Sequence, residues 1–143
     1  MSGFLLDANV LIALAWPAHV SHAIAHKWFE KHARMGWATC PLTECGFVRV
    51  ISNPAFSSDA LTPQSAIALL AENLKHPTHQ FWTDNIDLAQ ALRYSDRKLT
   101  GHQQVTDAYL LGLAIHHKGK LATFDRGFGP LRGKARITVE LID

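Results

Sequence analysis

The chain has 143 residues, 48% of them hydrophobic and 18% charged, with a net charge of +2 at neutral pH. That length and balance suit one globular domain, residues 1–143, with room for a sizeable core, and they exclude a disordered or fibrous chain. No apolar run approaches the roughly 18 residues of a membrane span, and no basic region precedes the first apolar stretch as in a secretory signal, so the expected location is cytoplasmic, without a membrane partner.

Phe4, Leu5 and Leu6 form a short continuous apolar run, as expected of a strand covered on both faces, and Asp7 ends it. Val10, Leu11, Ile12 and Leu14 follow at once as a helix packing back on the sheet. Pro17 breaks this pattern, and Ser21 is an N-cap for a helix to about Met35, with Ile24, Trp28 and Phe29 on its core side and Gly36 as its stop. Lys27, Lys31 and Arg34 lie mostly on the opposite face, which reads first as solvated and second as a nucleic-acid contact. Trp37 to Cys40 make a second strand. Pro41 then enters a helix over about Leu42 to Ser52, which places Glu44 in a first turn directly after a strand.

Thr62-Pro63 is an N-cap followed by Pro at the first helical position, and Ile67, Leu70 and Leu74 mark the helix behind it. His79 to Thr83 is a third strand. Asp84 or Asn85 caps the next helix, which carries Ile86, Leu88, Ala89 and Leu92. A strongly apolar helix spans about Thr106 to Lys118, with Asp107 at its start and Gly119 at its close. Leu121 to Phe124 form a fourth strand with Asp125 at its carboxyl end, and the alternation of Ile137, Val139 and Leu141 with Thr138 and Glu140 predicts an edge strand. Strands alternating with helices imply an α/β fold with a mainly parallel central sheet.

In a parallel sheet, strand C-termini and helix N-termini share one rim, so Asp7, Glu44, Asp107 and Asp125 are expected to converge there. Singly, each is explained by capping or a turn. Together they carry a cost: two carboxylates ~4 Å apart repel by ~4 kcal/mol at an effective dielectric near 20. A domain with a total stability on the order of 5–15 kcal/mol cannot hold such a cluster bare, and a divalent cation relieves it. Oxygen ligands select Mg²⁺ or Mn²⁺ over Zn²⁺, and Mg²⁺ bound by one or two carboxylates suits phosphodiester hydrolysis.

Other signals are weaker. His22 and His26 have the i, i+4 spacing of a zinc pair, with His19 nearby, but Ala23 stands where a metalloprotease needs Glu. His116 and His117 fit a helix C-terminus. Cys40 and Cys45 read as buried free thiols, and Trp16, Trp28, Trp37 and Trp82 as core residues before base-stacking ones.

Leu5-Leu6-Asp7-Ala8-Asn9-Val10-Leu11-Ile12, Thr43-Glu44, Val105-Thr106-Asp107-Ala108-Tyr109-Leu110 and Leu121-Ala122-Thr123-Phe124-Asp125-Arg126-Gly127-Phe128 resemble, in order, the motifs of the PIN domain, and more narrowly the VapC-type toxins of bacterial toxin–antitoxin pairs. The resemblance covers nearly the whole chain. It implies a three-layer α/β/α sandwich and a Mg²⁺- or Mn²⁺-dependent endoribonuclease, a homodimer inhibited by a small cognate antitoxin, with RNA as substrate. Carried over by residue, Asp7, Glu44, Asp107 and Asp125 are the catalytic metal ligands, and Thr123 supports a carboxylate or a water by hydrogen bonding, with Asn9 the polar residue after the first acid. Arg126, Arg132, Lys134 and Arg136 follow the last acid closely and are candidates for holding the RNA backbone. Two competing readings remain at this point. In an aspartate-nucleophile phosphatase or receiver-like module Asp7 would take a phosphoryl group, yet Asp7-Ala8-Asn9 lacks the second acid two positions on. The other is an RNA- or protein-binding module without chemistry.

Overall fold

A computed structural model of the chain describes residues 3–95, 99, 101–128 and 138–143. In chain order the elements are β1 (Phe4–Leu6), α1 (Ala8–Ala15), α2 (His22–His32), β2 (Trp37–Thr39), α3 (Pro41–Ile51), α4 (Pro63–Asn73), β3 (His79–Phe81), α5 (Leu88–Ser95), α6 (Val105–His116), β4 (Lys120–Thr123) and β5 (Val139–Leu141). The five strands pair in the order β3-β2-β1-β4-β5, with every pairing parallel.

The period-two alternation of side chains sends β1 to both faces, and each face has its own core. Phe4 and Leu6 join Trp37, Ala122, Val10, Leu11, Trp28, Phe47, Ile51 and Leu70 in a layer built with α1 to α4. Leu5 joins Ala38, Leu121, Trp82, Ile86, Leu110, Leu111 and Leu113 in a layer built with α5 and α6. The result is the expected three-layer sandwich. No helix among the described residues is long and apolar enough to cross a membrane.

Local rules place most boundaries. Thr62 accepts the Ser65 N–H at 3.1 Å, capping α4 in front of Pro63. Thr62→Ala is expected to cost about 1 kcal/mol, read as a lower urea midpoint at unchanged slope. Pro41 opens α3, where the Thr43 hydroxyl accepts the Cys40 N–H at 3.0 Å.

Several expectations are corrected. Ile24 and Ile67 are 43% and 50% exposed, while Ala25 and Ala66 are buried, so each helix is rotated by about one residue to present a small side chain at its closest approach. Asp87, rather than Asp84 or Asn85, caps α5, accepting the Gln90 N–H at 2.8 Å. The Ser21 side chain makes no cap bond. Cys45 is exposed, unlike Cys40. After α6 the left-handed residue is Lys118, with φ 61°, and not Gly119. Gly119 answers to space, since a Cβ there would lie 2.6 Å from the Gly3 carbonyl oxygen and 2.5 Å from the Trp82 ring.

Candidate active site

Strand numbers fall from β3 to β1 along the sheet and then rise from β4 to β5, so the order reverses between β1 and β4. The carboxyl ends of strands at such a reversal form the ligand-binding crevice of open α/β sheets. Asp7 follows β1 and Asp125 follows β4, placing one acid on each side of it.

Asp7 caps α1 and is half-buried. Its Oδ1 accepts the Ala8 N–H at 2.8 Å, and its Oδ2 accepts the Thr123 hydroxyl at 2.8 Å. Thr123 is fully buried, and its oxygen also accepts the Asp125 N–H at 3.0 Å and the Asn9 side-chain amide at 3.4 Å. Asn9 returns its carbonyl oxygen to the Phe124 N–H at 3.4 Å. One hydroxyl therefore joins the ends of β1 and β4. Burial pushes the Asp7 carboxyl above its ordinary value and the charge of Asp125 adds to this, while the bonds from Thr123 and Ala8 work in the opposite direction.

Asp125 uses Oδ1 to accept the Gly127 N–H at 2.7 Å, which orders the turn after β4. Glu44, in the first turn of α3, accepts the Thr39 hydroxyl on Oε2 at 2.7 Å. The same Thr39 oxygen lies 2.8 Å from His79 Nε2. Burial lowers the affinity of His79 for a proton, opposed by the charge of Glu44. Asp107 lies in the first turn of α6. Because α6 runs back to the start of β4 at Lys120, its N-terminus stands at the rim where the strands end.

The four acids thus share a rim, but the expected tight cluster is not what forms. Among the described residues no three His, Cys, Asp or Glu side chains converge to cage a metal. Asp7, Glu44 and Asp125 are instead each tied to a hydroxyl or an N–H, and Asp7 still feels the charge of Asp125. The donor chemistry still suits a hard divalent ion. Asp7 and Asp125 offer only carboxylate oxygens, they are close enough for one to raise the other's proton affinity, and Mg²⁺ needs just one or two carboxylates beside its waters.

Arg126 makes an exposed ion pair with Asp143 at 3.6 Å, and Arg132, Lys134 and Arg136 lie outside the described residues. His22 Nδ1 and His26 Nε2 sit 2.7 and 2.8 Å from the carbonyls of Ala13 and Leu14, so these rings tie α2 to the last turn of α1. His117 stacks on Trp82 with centroids 4.8 Å apart, and Trp28, Trp37 and Trp82 are all buried. Thr39 and His79 were not found by sequence reasoning. The available signal was that β2, like β4, ends in threonine.

The chain matches the family model of the PIN domain over residues 4–133. It is 45% identical over 121 residues to Ribonuclease VapC39 of Mycobacterium tuberculosis, covering 85% of this chain and 87% of that one. It is 42% identical over 140 residues to Ribonuclease VapC38 of the same organism, covering 96% of each. Among solved structures, VapBC2 of Rickettsia felis, bound to a promoter DNA fragment, superposes with a TM-score of 0.64 at 13% identity over 98% of both chains. VapC20 of Mycobacterium tuberculosis, a toxin that cleaves the sarcin-ricin loop, superposes with a TM-score of 0.61 at 14% identity over 88% of this chain and 92% of the other. Those two likenesses are of fold. The family match and the sequence relatives decide the assignment: the chain belongs to the PIN domain family and, within it, to the VapC ribonucleases.

Proposed function

We propose that the chain is a divalent-metal-dependent endoribonuclease, the toxin of a toxin–antitoxin pair, with its reacting centre at the reversal point between β1 and β4. The observation that carries this reading is the pairing of Asp7 with Asp125 through the buried Thr123 hydroxyl, in a chain whose relatives are named ribonucleases. Asp7, Glu44, Asp107 and Asp125 would hold Mg²⁺ or Mn²⁺ between them, Asp7 and Asp125 from the two sides of the reversal point and Glu44 and Asp107 from further along the rim. When bound, the ion neutralises the scissile phosphate and makes a nucleophilic water available at neutral pH. Thr123 holds the Asp7 carboxylate in one orientation, and Asn9 holds Thr123, so little reorganisation is left for the reaction itself.

The test is cleavage of structured RNA by purified protein. Activity is expected with Mg²⁺ or Mn²⁺, to vanish in EDTA, and to fall on the order of 10³-fold in Asp125→Asn, the scale at which losing one charge-stabilising group acts. Cleavage that survives EDTA, or that Asp125→Asn leaves unchanged, overturns the reading.

A partner protein follows from the toxin role. The structures of VapBC2 and FitAB, each bound to a DNA fragment, contain chains of similar fold. In this chain a cleft of about 160 Å³ lies among α1 to α4, lined by Leu11, Leu14, Phe29, Trp37, Phe47 and Leu70. It accepts apolar anchors of the kind an amphipathic antitoxin helix presents.

A further inference from the structure

Thr39 is 0% exposed at the end of β2, where a valine would pack equally well and bury no hydroxyl. A buried hydroxyl costs free energy unless it is hydrogen-bonded. Here it is bonded twice, to Glu44 Oε2 at 2.7 Å and to His79 Nε2 at 2.8 Å. A hydroxyl has one hydrogen. Both contacts are satisfied when that hydrogen goes to the carboxylate and His79, as its Nε2–H tautomer, donates to the Thr39 oxygen. His79 is itself fixed: it starts β3, pairs in register with Trp37, and rests against the Trp37 ring with centroids 4.7 Å apart. Glu44 Oε1 makes no hydrogen bond among the described residues.

The same device occurs at the other side of β1. Thr123, also 0% exposed and also the last residue of its strand, donates to Asp7 at 2.8 Å. The strands flanking β1 therefore each end in a buried threonine that holds one rim carboxylate by one oxygen.

We propose that Thr39 and His79 are positioning residues for Glu44, a His79–Thr39–Glu44 relay that fixes one carboxylate oxygen and turns the other toward the metal-binding rim. The inference rests on the reading of Glu44 as an acidic ligand. Outer hydrogen-bond partners of metal ligands contribute 10–100-fold to metal affinity or activity, and the relay is expected to act on that scale.

Its test is Mn²⁺ binding to RNA-free protein, followed by the electron paramagnetic resonance of free Mn²⁺. Thr39→Val removes the hydroxyl at constant volume, and His79→Phe removes the donor while keeping a ring against Trp37. Both are expected to weaken Mn²⁺ binding 10–100-fold. Thr39→Ser and His79→Gln, which restore a hydroxyl and an N–H, are expected to stay within a few-fold of wild type. In RNA cleavage the two disruptive variants should recover most of kcat as Mn²⁺ is raised, which a merely structural defect would not do. Nitrogen NMR of the wild type should show His79 Nε2 protonated, a readout that needs no variant to fold. If Glu44→Gln weakens Mn²⁺ binding but Thr39→Val and His79→Phe do not, the relay is wrong and the ligand role stands. If Glu44→Gln leaves binding unchanged, both fall, and an unprotonated Nε2 overturns the relay by itself.

Discussion

Asp7→Asn is expected to lower RNA cleavage on the order of 10³-fold and, in protein stripped of divalent metal, to melt higher than wild type. The two effects share a cause. Burial and the charge of Asp125 hold the folded-state Asp7 carboxyl above its ordinary value near 3.8. As pH rises from that value through the folded one, the folded chain retains a proton that the unfolded chain has released, and stability falls. Above that window the full penalty of a buried, repelled carboxylate persists. Asparagine removes it while keeping a carbonyl oxygen for the Ala8 N–H, at the loss of the acceptor for the Thr123 hydroxyl. The gain should be about 1 kcal/mol, the Coulomb scale of a well-solvated pair, or roughly 3–5 °C in Tm. It should be largest near neutral pH, shrink as pH falls through the window, and close below about 3.8. Melting curves across pH in EDTA decide the matter. An Asn variant that melts lower than wild type at neutral pH would mean that Asp7 stabilises the empty rim.

Gly112→Ala is expected to destabilise the fold by about 2 kcal/mol, a fall of roughly 6–10 °C in Tm. Inside a helix, alanine gains about 1 kcal/mol over glycine. That gain is outweighed here, because a Cβ at Gly112 would lie 2.1 Å from the Ala91 carbonyl oxygen and 2.7 Å from its Cα. Those atoms are backbone, so no rotamer change relieves the clash, and α5 must move off α6. Such a movement strains the Tyr94–His116 bond at 2.8 Å and the Tyr109 bond to the Ile86 carbonyl at 3.0 Å. Gly101→Ala is the control, since nothing among the described residues lies within 4 Å of a Cβ there. Equal melting of the Gly112 and Gly101 variants would show that α5 does not pack against α6 this closely.

Asp7 and Asp125 were legible in the sequence because each ends an apolar run, and a parallel sheet gathers such ends. Glu44 and Asp107 were legible as first-turn acids. What the sequence hid was how each carboxylate is held. The bond from Thr39 to His79 spans 40 positions and exists only because β2 pairs with β3, so no local pattern announces it. Thr123 was found through its place in a motif, while Thr39, ending a similar strand, lay outside any motif. The errors at Ile24 and Ile67 have a different origin. Periodicity fixes a helical stripe only to within one position, and the neighbouring alanines let α2 and α4 approach their partners more closely than isoleucine would. At α5 the cap was expected at Asp84 or Asn85, and the helix begins later, so that Asp87 is the residue that accepts the Gln90 N–H.

The bond between Thr123 and Asp7 closes a loop of 116 positions. A ribosome adding about 5–20 residues per second needs roughly 6–25 s to travel from one to the other. Throughout that interval the emerging polypeptide displays its first acid with no partner from β4 beside it. On the proposed pairing of Asp7 with Asp125, an unfinished copy lacks half of the reacting centre, and a cell making this protein would meet cutting only from chains that have passed β4.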